Sequence, residues 1–156
     1  MPSFLPDASA LAKLYHAEPG SEFVERTVNE PGNRCLISRL SVVEMESVLA
    51  IKVRSQQLDQ LGSEIARRRL RADLAQRRLL IAPPVDDQHL HRARMLLARH
   101  GVTEGLRTLD ALQLSIALDL RDLQLISVLV AADRRLCRVA ELEGCAAVDP
   151  LAPGLL

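Results

Sequence analysis

Short apolar runs alternate along this chain with longer segments whose apolar residues recur at helical spacing. Five such runs predict buried strands, because each is short, apolar and bounded by turn residues or charges. They cover residues 3–6, 35–37, 79–82, 125–130 and 146–148. The run at residues 125–130, Leu-Ile-Ser-Val-Leu-Val, is the clearest of the five.

The segments between the predicted strands favour helices. They cover residues 8–15, 21–28, 39–54, 57–78, 86–99, 108–120 and 134–143. The segment 57–78 is long enough for one helix or a helical pair, and 108–120 is apolar nearly all round, which predicts burial between layers. Strands that alternate with helices predict right-handed crossovers and a parallel sheet covered on both faces.

The length and composition of the chain fit one intracellular domain. A chain of 156 residues can bury a core without cross-links, so we expect a single domain over residues 1–156. Hydrophobic residues make up 48% but aromatic residues only 2%, so stacking of bases on aromatic side chains is not expected. Twenty basic and twenty acidic side chains cancel, so net charge does not indicate a nucleic-acid partner.

Other site classes find little support in the sequence. The three cysteines, Cys35, Cys137 and Cys145, include no CxxC pair, which argues against a disulfide framework and a structural zinc site. The four histidines lack metal-binding spacing, and no P-loop, dinucleotide or serine-hydrolase motif occurs. Without a signal peptide or an apolar run of roughly 18 residues, we expect a soluble cytoplasmic protein.

Four acidic residues carry the main chemical signal: Asp7, Glu44, Asp110 and Asp133 each lie at or near the start of a predicted helix. In an open parallel sheet the carboxyl ends of strands and the starts of the following helices face one edge. Carboxylates gathered there repel one another until a proton or a hard cation such as Mg²⁺ or Mn²⁺ relieves the repulsion. The pattern predicts a shared metal site and phosphodiester chemistry.

Each acid also has an ordinary structural explanation. Asp7 and Asp133 could be N-caps, Asp110 could complement a helix dipole, and Glu44 could complete a capping box begun by Ser41. Their joint placement at one edge favours the metal site. The arginine cluster between Arg67 and Arg78 has two interpretations, a solvated helix face or a phosphate-contacting surface.

Four segments in order resemble the PIN domain family, and most closely its VapC-type toxins from bacterial toxin–antitoxin pairs. They are residues 5–15 with 18–22 (LPDASALAKLY and EPGSE), 37–44 (ISRLSVVE), 107–114 (RTLDALQL) and 130–136 (VAADRRL). The resemblance spans nearly the whole chain. It implies a three-layer α/β/α sandwich with a central, mainly parallel sheet.

The resemblance also implies a function. It predicts a metal-dependent endoribonuclease in which Asp7, Glu44, Asp110 and Asp133 hold Mg²⁺ or Mn²⁺, while Ser9 supports the first aspartate. It further implies an RNA substrate, a cognate antitoxin and a homodimer. The predicted reaction is hydrolysis by metal-activated water, with Asp7 and Asp110 as direct ligands. Glu44 and Asp133 bind a second ion or position water.

Departures from the family pattern leave two alternatives open. Ala131 stands where relatives often carry Thr or Ser, and Gln113 where many have His; Pro6 is also unusual. One alternative is therefore a catalytically weakened PIN-fold module that binds RNA or a protein partner. The other is an aspartyl phosphotransferase with Asp7 as nucleophile. It is disfavoured because Ser9 occupies the place of the second aspartate in such enzymes.

Overall fold

A five-stranded parallel sheet forms the centre of the structure, a computed structural model that describes residues 1–154. The strands of this described part are β1 (Ser3–Pro6), β2 (Arg34–Ile37), β3 (Leu80–Ile81), β4 (Val128–Val130) and β5 (Ala146–Val148). Their order across the sheet is β3-β2-β1-β4-β5, and all neighbouring pairs are parallel. The predicted parallel sheet is confirmed.

Seven α-helices connect these strands within residues 1–154. They are α1 (Ala8–Leu11), which continues as a 3₁₀ turn (Ala12–Leu14), α2 (Ser21–Asn29), α3 (Arg39–Arg54), α4 (Gln60–Ala75), α5 (Asp87–His100), α6 (Thr108–Asp122) and α7 (Arg134–Leu142). In this part of the chain no helix is both long enough and apolar enough to cross a membrane.

The helices form a layer on each face of the sheet. Successive strand residues point to opposite faces, so Phe4 packs against helices α1 to α4 while Leu5 packs against α5 to α7. Leu129 and Val130 of β4 divide in the same way. The result is the three-layer α/β/α sandwich that the sequence predicts.

The strand order places the topological switch point of the sheet between β1 and β4, and the edge at the carboxyl ends of these two strands is called the crevice below. From β1 the chain builds outward through β2 and β3 on one side, and then returns to add β4 and β5 on the other. The connections leave β1 and β4 in opposite directions, which makes this pair the topological switch point of the sheet. Open α/β sheets bind ligands outside the carboxyl ends of the strands at such a point. Asp7 directly follows β1, and Asp133 lies three residues beyond β4.

Several predicted elements differ from the structure at their ends, and two of these differences have a clear structural cause. The apolar run at 125–130 becomes a strand only from Val128, because the backbone amides of Leu125 and Ile126 donate to the carbonyl of Leu120 and complete the exit from α6. The segment 57–78 forms one helix rather than a pair. That helix begins after Asp59, whose side chain accepts a hydrogen bond from the amide of Gly62 at 2.6 Å.

We expect Leu5→Ala to destabilise the protein strongly. Leu5 is fully buried in the central strand two residues before Asp7, so truncation leaves a cavity on the α5–α7 face of the sheet. The loss in the free energy of unfolding should be about 2 to 5 kcal/mol, measured by urea denaturation. The control is Leu123→Ala, at a 57% exposed site, which should cost roughly 0.5 kcal/mol or less. Equal losses in the two variants would contradict this account.

Candidate metal and active site

Asp7 is held at the carboxyl end of β1 by hydrogen bonds to the neighbouring strand β4 and to helix α1. Its backbone amide donates to the carbonyl of Val130 in β4 at 2.9 Å. Its Oδ1 atom caps α1 by accepting hydrogen bonds from the Ala10 amide at 2.9 Å and the Ser9 hydroxyl at 2.6 Å. The Ser9 hydroxyl in turn accepts from the amide of Ala132 at 2.9 Å. Ser9 therefore ties the first acid to the loop that follows β4.

Asp133 caps α7 on the other side of the crevice. Its Oδ1 atom accepts from the amides of Arg135 at 2.9 Å and Leu136 at 3.1 Å. Its Oδ2 atom accepts from Nη2 of Arg107 at 3.1 Å. The capping interpretation of Asp7 and Asp133 is therefore confirmed. Capping engages Oδ1 of each residue, so it is compatible with a second role for the carboxylate.

Glu44 reaches the same edge from α3. It does not complete a capping box with Ser41, so that interpretation of Glu44 is wrong. The N-cap of α3 is Ser38, whose Oγ accepts from the Ser41 amide at 2.9 Å. Glu44 thus lies beyond the first turn and is available to the crevice. The buried side chain of Gln113 in α6 accepts from the Ser38 hydroxyl at 2.8 Å, and its Nε2 atom lies 3.5 Å from Oε2 of Glu44.

Asp110 lies in the first turn of α6 and pairs with the residue that caps this helix. Nε of Arg107 donates to Oδ2 of Asp110 at 3.0 Å, while Nη2 of the same guanidinium reaches Asp133. Within residues 1–154, Arg107 is the one basic side chain that pairs with any of the four acids. Sequence reasoning did not single out Arg107, although its i,i+3 spacing from Asp110 is a detectable signal.

The four acids form one electrostatically coupled group. Burial raises the pKa of Asp7 to about 6; hydrogen bonds from Ser9 and Ala10 oppose this rise, and the carboxylates of Asp133 and Asp110 add to it. The pKa of Glu44 is raised to about 7, mainly by burial and in addition by the carboxylates of Asp7 and Asp110. The structure thus brings all four predicted acids to one edge with more negative charge than the single guanidinium balances.

The donor atoms of this group fit a hard divalent cation, since all of them are carboxylate oxygens. The side-chain arrangement is not a finished ligand set. Among residues 1–154, no three or more His, Cys, Asp or Glu side chains meet the geometry for holding a metal ion. Arg107 contacts two of the four acids in this arrangement. The chemistry of the edge therefore favours Mg²⁺ or Mn²⁺, and its geometry requires side chains to move first.

The arginine cluster between Arg67 and Arg78 is largely engaged within the protein. Arg67 pairs with Glu46, and Arg68 pairs with Glu64. Arg69 lies over the ring of Tyr15, with 5.4 Å between the guanidinium carbon and the ring centroid. Arg78 donates to the carboxylate of Asp73 and to the side chain of Asn29. These contacts favour the structural interpretation of the cluster.

Comparisons with known proteins agree with the fold. The family model described as PIN domain matches residues 4–142. PAE2754 from Pyrobaculum aerophilum has a similar structure, with 22% identity, a TM-score of 0.56, and coverage of 94% of this chain and 89% of that one. VapBC2 from Rickettsia felis, bound to a DNA fragment from its promoter, has 15% identity, a TM-score of 0.64, and coverage of 93% and 96%.

A third similar structure is VapC20 from Mycobacterium tuberculosis, described as a toxin that cleaves the sarcin-ricin loop. It has 15% identity, a TM-score of 0.64, and coverage of 97% of this chain and 99% of that one. No curated protein sequence matches the chain. At these identities the solved structures show a shared fold.

We expect Asp7→Asn to stabilise the metal-free protein in a pH-dependent way. The folded-state pKa of Asp7, about 6, exceeds its ordinary value of 3.8, so ionisation of Asp7 destabilises the native state. This cost is absent at pH below the ordinary value and complete above pH 6. In EDTA, urea denaturation should show Asp7→Asn to be about 1 to 3 kcal/mol more stable than the wild type at pH 8, with no gain at pH 3.5.

The matched control for that experiment is Asp59→Asn. Asp59 is an exposed N-cap outside the acidic group, and asparagine retains an oxygen for the capping hydrogen bond. This variant should not reproduce the pH-dependent gain. If Asp7→Asn were less stable than the wild type across the whole pH range, the capping role of Asp7 would outweigh the cost of ionising its carboxylate in the folded protein.

Proposed function

Because this chain belongs to the PIN domain family, we propose that it is a divalent-metal-dependent endoribonuclease that acts as the toxin of a toxin–antitoxin pair. One observation carries the proposal. Four carboxylates from four separate parts of the chain, Asp7, Glu44, Asp110 and Asp133, interact electrostatically at the switch point of the sheet. Such an excess of negative charge is stable chiefly as a cation site.

In the proposed site, Asp7 and Asp110 hold Mg²⁺ or Mn²⁺ directly. Glu44 and Asp133 bind a second ion or position water around the first. A divalent ion, when bound, supplies activation of water and stabilisation of negative charge on the scissile phosphate. Because the attacking group is then a water molecule, cleavage requires no side chain as nucleophile.

The hydrogen bonds of the site have positioning roles in this proposal. Ser9 fixes the carboxylate of Asp7, because its hydroxyl donates to Oδ1 and accepts from the Ala132 amide on the opposite side of the crevice. Gln113 supports Glu44 from α6. The missing hydroxyl at Ala131 leaves this framework intact, since Ser9 already binds the loop after β4. These contacts support activity despite the departures from the family pattern.

Partners follow from the toxin proposal. We infer that the protein binds a cognate antitoxin, forms a homodimer and acts in the cytoplasm, where its RNA substrate is found. Support comes from exposed aliphatic side chains on the neighbouring helices α3 and α4, namely Val43, Ile51, Leu61 and Ile65, which are 45% to 68% exposed. Exposed apolar area of this kind is typical of surfaces that bind proteins. The structural likeness to VapBC2 supports the inferred antitoxin partner.

We expect the purified protein to cleave RNA in the presence of Mn²⁺ or Mg²⁺ and to lose this activity in EDTA. Ribosomal RNA, transfer RNA and single-stranded oligonucleotides serve as probes, with products resolved on denaturing gels. Asp7→Asn and Asp110→Asn should each reduce the initial cleavage rate by about 100-fold or more, because each removes a charged ligand. Asp59→Asn should cleave at the wild-type rate. Wild-type cleavage by Asp7→Asn would show that the site is wrongly assigned.

The alternative function, a binding module on the same fold, is separated by the same assay. Ala131 is the observation that favours it, since a residue at the end of β4 lacks the hydroxyl common among relatives. A wild-type protein that binds RNA or co-purifies with its neighbouring gene product, yet leaves every RNA probe intact in Mn²⁺, would support this alternative. Metal-dependent cleavage that requires Asp7 would reject it.

A further inference from the structure

Arg107 bridges two of the four acids instead of pairing with a single one. Its two donors reach two different acids: Nε lies 3.0 Å from Oδ2 of Asp110, and Nη2 lies 3.1 Å from Oδ2 of Asp133. The guanidinium therefore spans the start of α6 and the start of α7. Its planar fork suits this bridging geometry.

Arg107 occupies the oxygen of Asp133 that is not used in capping α7. Oδ1 of Asp133 is already engaged by the amides of Arg135 and Leu136, which cap α7. Oδ2 is the remaining oxygen, and Arg107 donates to it. A metal ion and the guanidinium would therefore compete for the same atom. The same conflict arises at Oδ2 of Asp110, unless the ion uses Oδ1 there.

The side chain of Arg107 is largely exposed to solvent, so it can move away from the acids. It is 65% exposed, whereas the lysines that neutralise Glu18, Lys13 and Lys52, are 6% and 9% exposed. Exposed ion pairs are screened by water and contribute little free energy, so they are exchanged readily. The buried pairs around Glu18 have the character of permanent structure, and the pairs of Arg107 do not.

We propose that Arg107 is an internal competitor of the divalent ion: it bridges Asp110 and Asp133 in the metal-free protein and is displaced when the ion binds. This inference rests on the proposed function, because it takes the acids to be a metal site. It explains how the acidic group is tolerated when no divalent ion is bound, because Arg107 then supplies positive charge to two of the four acids. Arg107 thereby lowers the affinity of the site for metal.

The test measures Mn²⁺ binding without RNA, by isothermal titration calorimetry, for the wild type, Arg107→Gln and Arg107→Lys. Removing the competing charge should tighten the Kd for Mn²⁺ by about 3- to 10-fold in Arg107→Gln. Arg107→Lys should fall between the two, since an ammonium cannot bridge both acids with a planar fork. The matched control is Arg134→Gln. It removes the same charge next to Asp133 from a side chain that is 88% exposed, and it should stay within about 2-fold of the wild type.

A second readout separates competition from a purely structural role. In EDTA, Arg107→Gln should unfold at a lower temperature than the wild type, because the acids lose their cation. In saturating Mn²⁺ this difference should shrink or vanish, since the two proteins then share the same cation. A structural role common to both states would instead lower the unfolding temperature equally with and without Mn²⁺. That result, or equal Kd values, would overturn the inference.

Failure of this inference differs from failure of the proposed function. If the wild type binds Mn²⁺ in an Asp7-dependent way and Arg107→Gln binds it equally well, the metal site stands and the competition is refuted. If neither protein binds Mn²⁺ at millimolar concentrations, the metal site itself is refuted, and the competition with it. Binding by Arg107→Gln alone would support the inference in its strongest form.

Discussion

Repulsion among carboxylates at the switch point is the constraint on which the rest of this site depends. The order of the strands brings the starts of α1 and α7 together across the ends of β1 and β4, and α3 and α6 supply two more acids. The folded backbone keeps the four acids close together. Charge must be balanced there by a proton, a guanidinium or a metal ion. Burial is the main cause of the raised pKa values of Asp7 and Glu44, and the neighbouring carboxylates add to both.

Several polar groups at this edge serve both the fold and the site. Asp7 and Asp133 each cap a helix with Oδ1, and Oδ2 of Asp133 accepts a hydrogen bond from Arg107. Ser9 holds one acid and a backbone amide of the opposite loop at once. Gln113 is buried, so its side-chain amide requires hydrogen-bond partners. It accepts a hydrogen bond from Ser38, donates one to Ser41 and lies next to Glu44. Because capping uses only Oδ1 of Asp7 and of Asp133, it does not exclude the proposed role of these residues as ligands.

The pattern of apolar residues locates the helices better than it indicates which of their faces is buried. The boundaries of α3 are those predicted from the sequence, and α4 lies within the predicted segment. On α4, however, Leu61 and Ile65 are exposed, while the smaller Ala66 packs in the core. A hydrophobic stripe indicates which face can be buried, and only the packing of α4 against its neighbours decides which face is. The same limit applies at residues 125–127, where apolar residues complete the exit from α6 rather than extending β4.

The sequence by itself determined the alternation of strands and helices, and with it the parallel sheet, the three layers and the edge at which the four acids meet. The local sequence pattern is sufficient for these features. The spacing of buried residues in helices and strands, and the handedness of the crossover connections, both follow from short-range geometry. Only the tertiary structure decided which groups surround those acids. Arg107 is close to Asp133 although 26 positions separate them, and Gln113 is close to Glu44 although 69 positions separate them. Contacts of that range depend on how helices pack side by side, which no local pattern of polar and apolar residues encodes.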